Sequence, residues 1–399
     1  RGAPASGRLL GPWQQPNLTT STLWLSMVSL MALRSERFGV MGWTLLVLFG
    51  CVLALAASRL NYPLILFVAG VGVLAVRRGH HEVAVLGRRI IWSLPVLFLC
   101  LLTFPMVNQG VEYFLVEAGW MLPRESVQLV DRHVVGRPRI DEHLKLLGAI
   151  GDWELSQWFF GVGPGGYGPF SFEQSISSDT VGSSKAAWLH SHNLFSMVFV
   201  ETGMLGLSVL MGVLLLVVQR LWVLRVHSET WVIGIILGVV LLHSMVEFPL
   251  WYPWYLFVCV LFLACIFPVH QISVSTRWSM SALGGGVLLI VSAIAMNQLY
   301  MAREVISVAA SHTPGQSGYQ SLDVIANDGL MGPYATLARY RRFGPDQHRL
   351  EHQLEEVKLV EQWRPVDLVK ARKVSILLLL DRSEQACRVA NRTAHRYPH

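Results

Sequence analysis

The stretch that decides the fold is LHSHNLFSMVFVETGMLG, residues 189–206, where a polar segment passes directly into an apolar run. The polar segment covers 108–190, and the apolar run is long enough to cross a bilayer, which takes about 20 residues. Ser191 is a favourable N-cap, so the pattern predicts a helix that begins there, with His192 and Asn193 in its first turn. A histidine at such a boundary reaches water from a rigid element, which suits a general base or a lipid head-group ligand.

The composition indicates a polytopic membrane protein. Hydrophobic residues make up 53% of the 399 residues and charged residues 15%, whereas a soluble domain has roughly 25% charged residues. The chain opens with Arg1 and no signal peptide precedes the first apolar run, so we expect an N-terminally incomplete chain. Four of the five cysteines lie in apolar runs and Cys387 stands alone, which predicts neither disulfides nor a cysteine metal site.

The excess of basic over acidic residues is typical of a membrane protein. Lys and Arg number 32 against 26 acidic residues, an excess that reports orientation and contact with anionic lipid. No basic helix or aromatic-basic platform indicates nucleic-acid binding.

Eight apolar segments approach the length of a membrane span. They are residues 18–33, 38–57, 60–76, 90–107, 193–219, 230–248, 251–269 and 279–297. Short arginine-rich loops stay in the cytoplasm, and they occur here at 34–37, 77–89 and 220–225. Alternation then places five regions on the outer side: 1–17, 58–59, 108–190, 249–253 and everything after about 298.

The expected fold class is an all-α polytopic membrane protein with a large outer loop and a C-terminal helical soluble domain. Residues 1–107 hold about four spans after the outer loop 1–17, and residues 191–297 hold about four more. Residues 108–190 form the large loop and 298–399 the helical domain, in which 347–363 and 366–381 are predicted helices.

His192 has two readings from the residues alone. The free N–H groups at a helix start favour a nearby anion, and a base beside an anion site suits transfer from a phosphate-linked donor. The alternative is that His192 is a polar residue at a helix end, hydrogen-bonded to water or to lipid phosphate.

His243 and Glu247 are the second candidates, because their spacing places both on one helix face near a span that Pro249 ends. Ionisable groups at membrane depth are functional or paired with each other, so a structural His–Glu pair is the alternative. A metal site lacks an evident third ligand.

Three arginines, Arg59, Arg137 and Arg139, are candidates for bidentate phosphate contacts, with anchoring at the membrane interface as the alternative. Glu201 is predicted to face the bundle interior beside the glycines of its helix. The run GVGPGG at 161–166 formally satisfies the dinucleotide-binding pattern GxGxxG, but no βαβ unit surrounds it, so it predicts a turn.

These motifs together resemble a known family. HN at 192–193 and ETGMLGL at 201–207, after GVGPG at 161–165, are similar to the O-antigen ligase and polymerase superfamily of bacterial membrane glycosyltransferases. The motif HSMVEFPLWY at 243–252 resembles its protein O-oligosaccharyltransferase branch, the pilin-glycosylating enzymes. QPN at 15–17 is similar to that branch's outer loop before a span.

The resemblance covers most of residues 7–260 and implies a GT-C-like helical bundle in the bacterial inner membrane, with its active site facing the periplasm. The implied reaction transfers a preassembled oligosaccharide from undecaprenyl pyrophosphate to Ser or Thr hydroxyls of an exported, pilin-like protein. Membrane lipid is expected as a partner. No metal, cofactor, nucleotide sugar or nucleic acid is expected. Alternatives are an O-antigen ligase or polymerase with the same donor, a transporter, or a non-catalytic scaffold.

The resemblance also carries over to single residues. It implies that His192 is the essential histidine and that Arg59 and Arg139 complete the catalytic set. His143 stands where a tryptophan usually follows the loop arginine, so Arg137 competes with Arg139 for that role. The implied substrate-binding residues are Asn193, Arg137, His243, Glu247, Gln15 and Asn17.

Overall fold

The architecture is that of a computed structural model, and every structural statement below concerns the residues that it describes. These are 15–33, 35–56, 58–119, 138–177, 188–267, 293–294, 296–311, 315–328, 331–362 and 364–396. All of their regular structure is helical, and no strand occurs among them. The prediction of an all-α fold is confirmed.

The chain divides into two compact units, and the first contains residues 1–137, 192–195 and 207–269. Its helices are α1 (Pro16–Met31), α2 (Ser35–Ala56), α3 (Asn61–Arg78), α4 (His81–Glu117), α9 (Ser228–Ser244) and α10 (Pro253–Ile266), together with both ends of α8 (Leu194–Val223). Among the described residues, four segments are long and apolar enough to cross a membrane: Gly39–Ala56, α3, α4 and α8. They confirm the predicted spans 38–57, 60–76, 90–107 and 193–219, except that α4 continues to Glu117, into the segment 108–190 that was predicted as a loop.

The remaining predicted spans have different outcomes. The segments 18–33, 230–248 and 251–269 correspond to α1, α9 and α10, which have only 16, 17 and 14 residues. The segment 279–297 lies mostly outside the described residues. α9 stops at Ser244, short of the predicted end, because the chain must leave the helical conformation before Pro249: Phe248 has φ −127° and ψ 56°.

Helices α1 and α9 form the interior of this unit. Trp24, Met27 and Met31 of α1 are buried in one apolar cluster with Ile235 and Val239 of α9. The surrounding helices instead expose large apolar side chains, as a lipid-facing surface requires: Leu66 of α3 is 74% exposed, Phe98 of α4 61% and Val209 of α8 68%.

Two arginines satisfy carbonyl groups at helix C-termini. The guanidinium of Arg89 donates to the carbonyls of Met31 and Leu33, at the end of α1. Nε of Arg220 donates to the carbonyl of Ile266, the last residue of α10, at 2.6 Å. Both arginines come from the predicted cytoplasmic loops, so each also neutralises the negative end of a helix dipole.

The second unit contains residues 138–191, 196–206 and 270–399. Its helices are α5 (Pro138–Ile150), α6 (Leu155–Phe160), α7 (Tyr167–Ser177), α11 (296–310), α12 (Gln316–Ile325), α13 (Gly332–Arg342), α14 (Leu350–Glu361), α15 (Asp367–Leu379) and α16 (Ser383–Arg396). The predicted helices 347–363 and 366–381 are confirmed as α14 and α15, which pack around buried Val357, Val369 and Ile376.

The C-terminal helices pack on α7 within this unit. Nζ of Lys370 lies 3.9 Å from the ring centroid of Phe172, a cation–π contact with a buried ring. Arg392 of α16 pairs with Glu173 at 2.5 Å. Helix α7 and the C-terminal helices α15 and α16 therefore share one packed interface.

The glycine-rich segment 161–166 is a turn, as predicted, and it packs against the middle of α8. The amides of Val162 and Gly163 donate to the carbonyls of Val200 and Glu201, at 2.8 and 3.1 Å. The Glu201 carboxylate in turn accepts backbone N–H groups of Gly165 and Tyr167. Glu201 thus binds the loop as well as lying beside Gly203, a contact that the sequence pattern did not predict.

Candidate active site

A chain of hydrogen bonds connects four side chains of the first unit. Nδ1 of His192 lies 2.9 Å from Oε2 of Glu247. The other carboxylate oxygen, Oε1, accepts a hydrogen bond from Nδ2 of Asn17 at 2.9 Å. Oδ1 of Asn17 then accepts one from the hydroxyl of Ser58 at 2.6 Å. The network therefore joins two residues of predicted outer regions, Asn17 and Ser58, to His192 and Glu247, which lie within two residues of two others.

His192 lies just before α8 rather than inside it. Its backbone is left-handed, with φ 52°, a conformation that non-glycine residues rarely adopt. Oδ1 of Asn193 accepts the amide N–H of Phe195 at 3.0 Å, so Asn193 is the residue that caps the helix. The predicted start at Ser191 is wrong because a left-handed residue cannot continue a right-handed helix, and α8 begins at Leu194.

Glu247 lies in the turn that follows α9. The amide N–H of Glu247 donates to the carbonyl of His243 at 2.9 Å, and the chain then leaves the helical path. The carboxylate is 7% exposed and is held by His192 and Asn17, from two other parts of the chain. A buried carboxylate is stable only with such partners. The sequence pattern had paired Glu247 with His243 along one helix face.

Ser58 and Arg59 form the turn before α3. The Ser58 hydroxyl accepts the amide N–H of Leu60 at 3.1 Å while donating to Asn17, so the hydroxyl is fixed on both sides. Ser58 is buried, whereas the adjacent Arg59 is exposed. The turn thus presents a cation next to a fixed network.

His243 lies in the core of the first unit. Its side chain is fully buried, and Nδ1 lies 2.7 Å from the hydroxyl of Ser21. Tyr255 meets the imidazole edge-on, with ring centroids 6.0 Å apart, and donates its hydroxyl to the carbonyl of Leu18 at 2.8 Å. This environment favours the structural reading of His243. Ser21, one helical turn after Asn17, was not predicted, although the four-residue spacing on α1 is visible in the sequence.

Aromatic rings border the imidazole of His192. The Phe248 ring centroid lies 5.5 Å from that of His192, and Phe248 stacks on Tyr252 with an interplanar angle of 13°. Trp251, whose ring lies 5.7 Å from that of Phe248, is 56% exposed. Burial, reinforced by the Glu247 carboxylate, raises the pKa of Tyr252. The site therefore combines an apolar wall with a hydrogen-bonded carboxylate.

The side chains of the two predicted loop arginines lie outside the described part of the structure. Arg139 is in the first turn of α5, but its side chain lies outside the described part of the structure, as does the whole of Arg137. Gln15 precedes α1, is half-buried and accepts the amide N–H of Thr19 through its carbonyl. Among the residues described, no three His, Cys, Asp or Glu side chains form a group that could hold a metal ion.

Residues 231–399 match the family model described as "Virulence factor membrane-bound polymerase, C-terminal". This polymerase match begins in α9 and includes Glu247 and the helices α12 to α16, whereas Asn17, Ser58 and His192 lie before it. It supports the superfamily of membrane-bound polymerases and ligases and fits a glycosyl-transfer function. No curated protein and no solved structure matches the chain.

Proposed function

We propose that this protein transfers a glycan from a lipid-linked pyrophosphate donor to an acceptor hydroxyl, with His192 as general base. The observation that supports the proposal is the 2.9 Å contact between His192 and the buried carboxylate of Glu247, beside the predicted outer segments 108–190 and 249–253. The apolar spans and the match to a membrane-bound polymerase family support a lipid-linked donor.

The contact with Glu247 assigns the two ring nitrogens of His192. An ionised carboxylate only accepts hydrogen bonds, so Nδ1 carries the hydrogen and Nε2 carries the lone pair. Nε2 takes the proton of the acceptor hydroxyl as the new bond from oxygen to the anomeric carbon forms. Glu247 then stabilises the imidazolium, as the third member of a catalytic triad does.

Charge also develops on the leaving group. The bond from the anomeric carbon to the pyrophosphate oxygen breaks, and the lipid pyrophosphate leaves with the electron pair. The exposed guanidinium of Arg59 neutralises that charge, with Arg139 or Arg137 as the proposed second cation. Pyrophosphate is already a good leaving group, so positioning and charge neutralisation supply most of the rate.

The proposed donor is an undecaprenyl-pyrophosphate-linked oligosaccharide at the periplasmic face of the inner membrane. The arginine-rich loops lie at the ends of α1, α8 and α10, and the His192 network lies at the opposite helix ends. By the positive-inside rule, this asymmetry supports an outward-facing site.

For the acceptor we propose a Ser or Thr hydroxyl of an exported, pilin-like protein, which the motif at 243–252 supports. The match to a membrane-bound polymerase family instead favours polymerisation, in which the acceptor hydroxyl belongs to a second lipid-linked glycan. Both reactions use the same base and the same leaving group, so the acceptor alone separates them.

A reconstitution with competing acceptors tests the proposal. The full-length protein in lipid nanodiscs receives an undecaprenyl-pyrophosphate-linked oligosaccharide and either a pilin-like protein or lipid A core. We expect a mass increase of the pilin by one intact oligosaccharide. A ladder of longer lipid-linked glycans would instead assign a polymerase, and glycosylated lipid A core a ligase. Failure to consume the donor with any acceptor would contradict glycosyl transfer.

Replacing Glu247 by Gln is expected to reduce kcat on the order of 10²-fold, less than loss of the base, because the amide cannot stabilise the imidazolium. KM for the donor should change little, since Glu247 is buried behind His192. Initial rates with saturating donor measure the effect. Glu229→Gln, at an exposed carboxylate in the first turn of α9, the helix that precedes Glu247, is the control. Activity within twofold of wild type for E247Q would argue against the dyad.

A further inference from the structure

We infer that Asn17 and Ser58 are positioning residues that hold the Glu247 carboxylate against His192 and tie the Arg59 turn to the same carboxylate. This inference rests on the proposed function, because it assumes that His192 and Arg59 act in glycan transfer. It assigns to Asn17 a role different from the substrate contact that the sequence motif suggested.

Three separate parts of the chain meet at these two side chains. Asn17 is the second residue of α1 and bonds Glu247, which is 230 residues away, at 2.9 Å. Its other partner, Ser58, is 41 residues away at 2.6 Å and belongs to the turn before α3. The amide of Asn17 therefore bridges the turn after α9 to the turn that carries Arg59.

The directions of the hydrogen bonds fit only one orientation of the Asn17 amide. The Ser58 hydroxyl accepts the amide N–H of Leu60 and donates its own hydrogen to Oδ1 of Asn17. Nδ2 of Asn17 then faces the Glu247 carboxylate as a donor. The flipped amide would place Oδ1 against a carboxylate oxygen and lose that bond.

Hydrogen bonds at both oxygens restrict the orientation of the Glu247 carboxylate more than a single hydrogen bond can. Asn17 holds Oε1 and His192 meets Oε2, so the plane of the carboxylate is fixed by donors at both oxygens. Displacing a catalytic group by 1 Å costs on the order of 10²-fold in rate. Removal of Asn17 should therefore act on turnover, through Glu247, rather than on donor affinity.

A double-mutant cycle tests whether Asn17 acts through Glu247. In nanodiscs with the undecaprenyl-pyrophosphate-linked oligosaccharide, Asn17→Ala is expected to lower kcat by about 10-fold with KM within about twofold. In a Glu247→Ala background the same change should lower kcat by less than about twofold, because no carboxylate remains to be positioned. Equal losses in both backgrounds would overturn the inference, as would a loss confined to KM.

Variants of Ser58 supply the rescue test. Ser58→Ala, like Asn17→Ala, is expected to lower kcat. Ser58→Thr keeps the hydroxyl and should restore at least half of the wild-type kcat. A threonine variant as inactive as the alanine variant, at unchanged melting temperature, would count against the hydrogen-bond role.

Asn61→Ala is the matched structural control. Asn61 is a buried asparagine of the same unit, whose Oδ1 accepts the indole N–H of Trp24 at 3.1 Å. Its loss should lower the melting temperature of the solubilised protein and leave kcat unchanged. A kcat loss equal to that of Asn17→Ala would show that any buried asparagine has this effect and would overturn the inference.

The His192→Ala variant separates failure of the inference from failure of the proposed function. If His192→Ala keeps wild-type activity, the proposed function fails and the inference fails with it. If His192→Ala is inactive while Asn17→Ala retains wild-type kcat, only the positioning role fails.

Discussion

Replacing His192 by alanine in the full-length protein should reduce kcat for glycan transfer by about 10²- to 10⁴-fold, the range typical of a lost general base. The physical reason is that His192 supplies the basic ring nitrogen that takes the proton of the acceptor hydroxyl, whereas Asn17 contacts Glu247 through its amide N–H, which can only donate. Initial rates at saturating donor and acceptor measure the effect.

The left-handed backbone of His192 requires a second variant, because alanine is strained at φ 52° and can weaken the fold as well as the chemistry. His192→Asn avoids this, since asparagine tolerates the left-handed region. Both variants should be inactive, and H192N should keep the wild-type melting temperature. His190→Ala, two residues earlier, is expected to stay within about threefold of wild type. Near wild-type activity of H192N would remove His192 from the role of base.

Replacing Gly203 by alanine should destabilise the packing of the glycine-rich loop on α8 by about 3 kcal/mol or more. Gly203 has φ 64°, and a Cβ there would lie 2.3 Å from the carbonyl carbon of Phe159. Backbone atoms meet at this point, so no side-chain rotation relieves the clash. Thermal unfolding of the solubilised protein and protease cleavage within residues 155–166 measure the effect.

Gly212→Ala is the matched control for Gly203→Ala. Gly212 lies in the same helix, and a Cβ there would meet no atom within 4 Å. Since alanine is the better helix former, G212A should be neutral or more stable by about 0.5–1 kcal/mol. Equal melting temperatures for the two variants would show that the close approach at Gly203 does not contribute to stability.

Hydropathy was sufficient to predict the all-α fold and four spans, because long apolar runs have no other stable form in a bilayer. It could not predict that α1 and α9 are interior helices, since Trp24 and Val239 look no different in sequence from the lipid-facing Leu66. The start of α8 was misplaced because N-cap preference selects Ser191, whereas the backbone conformation of His192 depends on tertiary contacts.

The members of the candidate site were found in the sequence, but their contacts were not. Asn17, His192 and Glu247 each stood out by type and motif, yet Glu247 was matched to its helical neighbour His243. The actual partners are 55 and 230 residues away, and helical periodicity carries no information over such distances. Ser58 entered the prediction only as part of the outer turn at 58–59.

The packing of the C-terminal helices on α7 has a consequence for truncation. The Phe172 ring is buried, with the ammonium group of Lys370 over its face. A shortened chain that ends before α11 would lack that cover, leaving an aromatic side chain of the outer loop in water. We therefore expect a fragment that contains α5 to α7 to refold only when the C-terminal helices α11 to α16 are produced together with it.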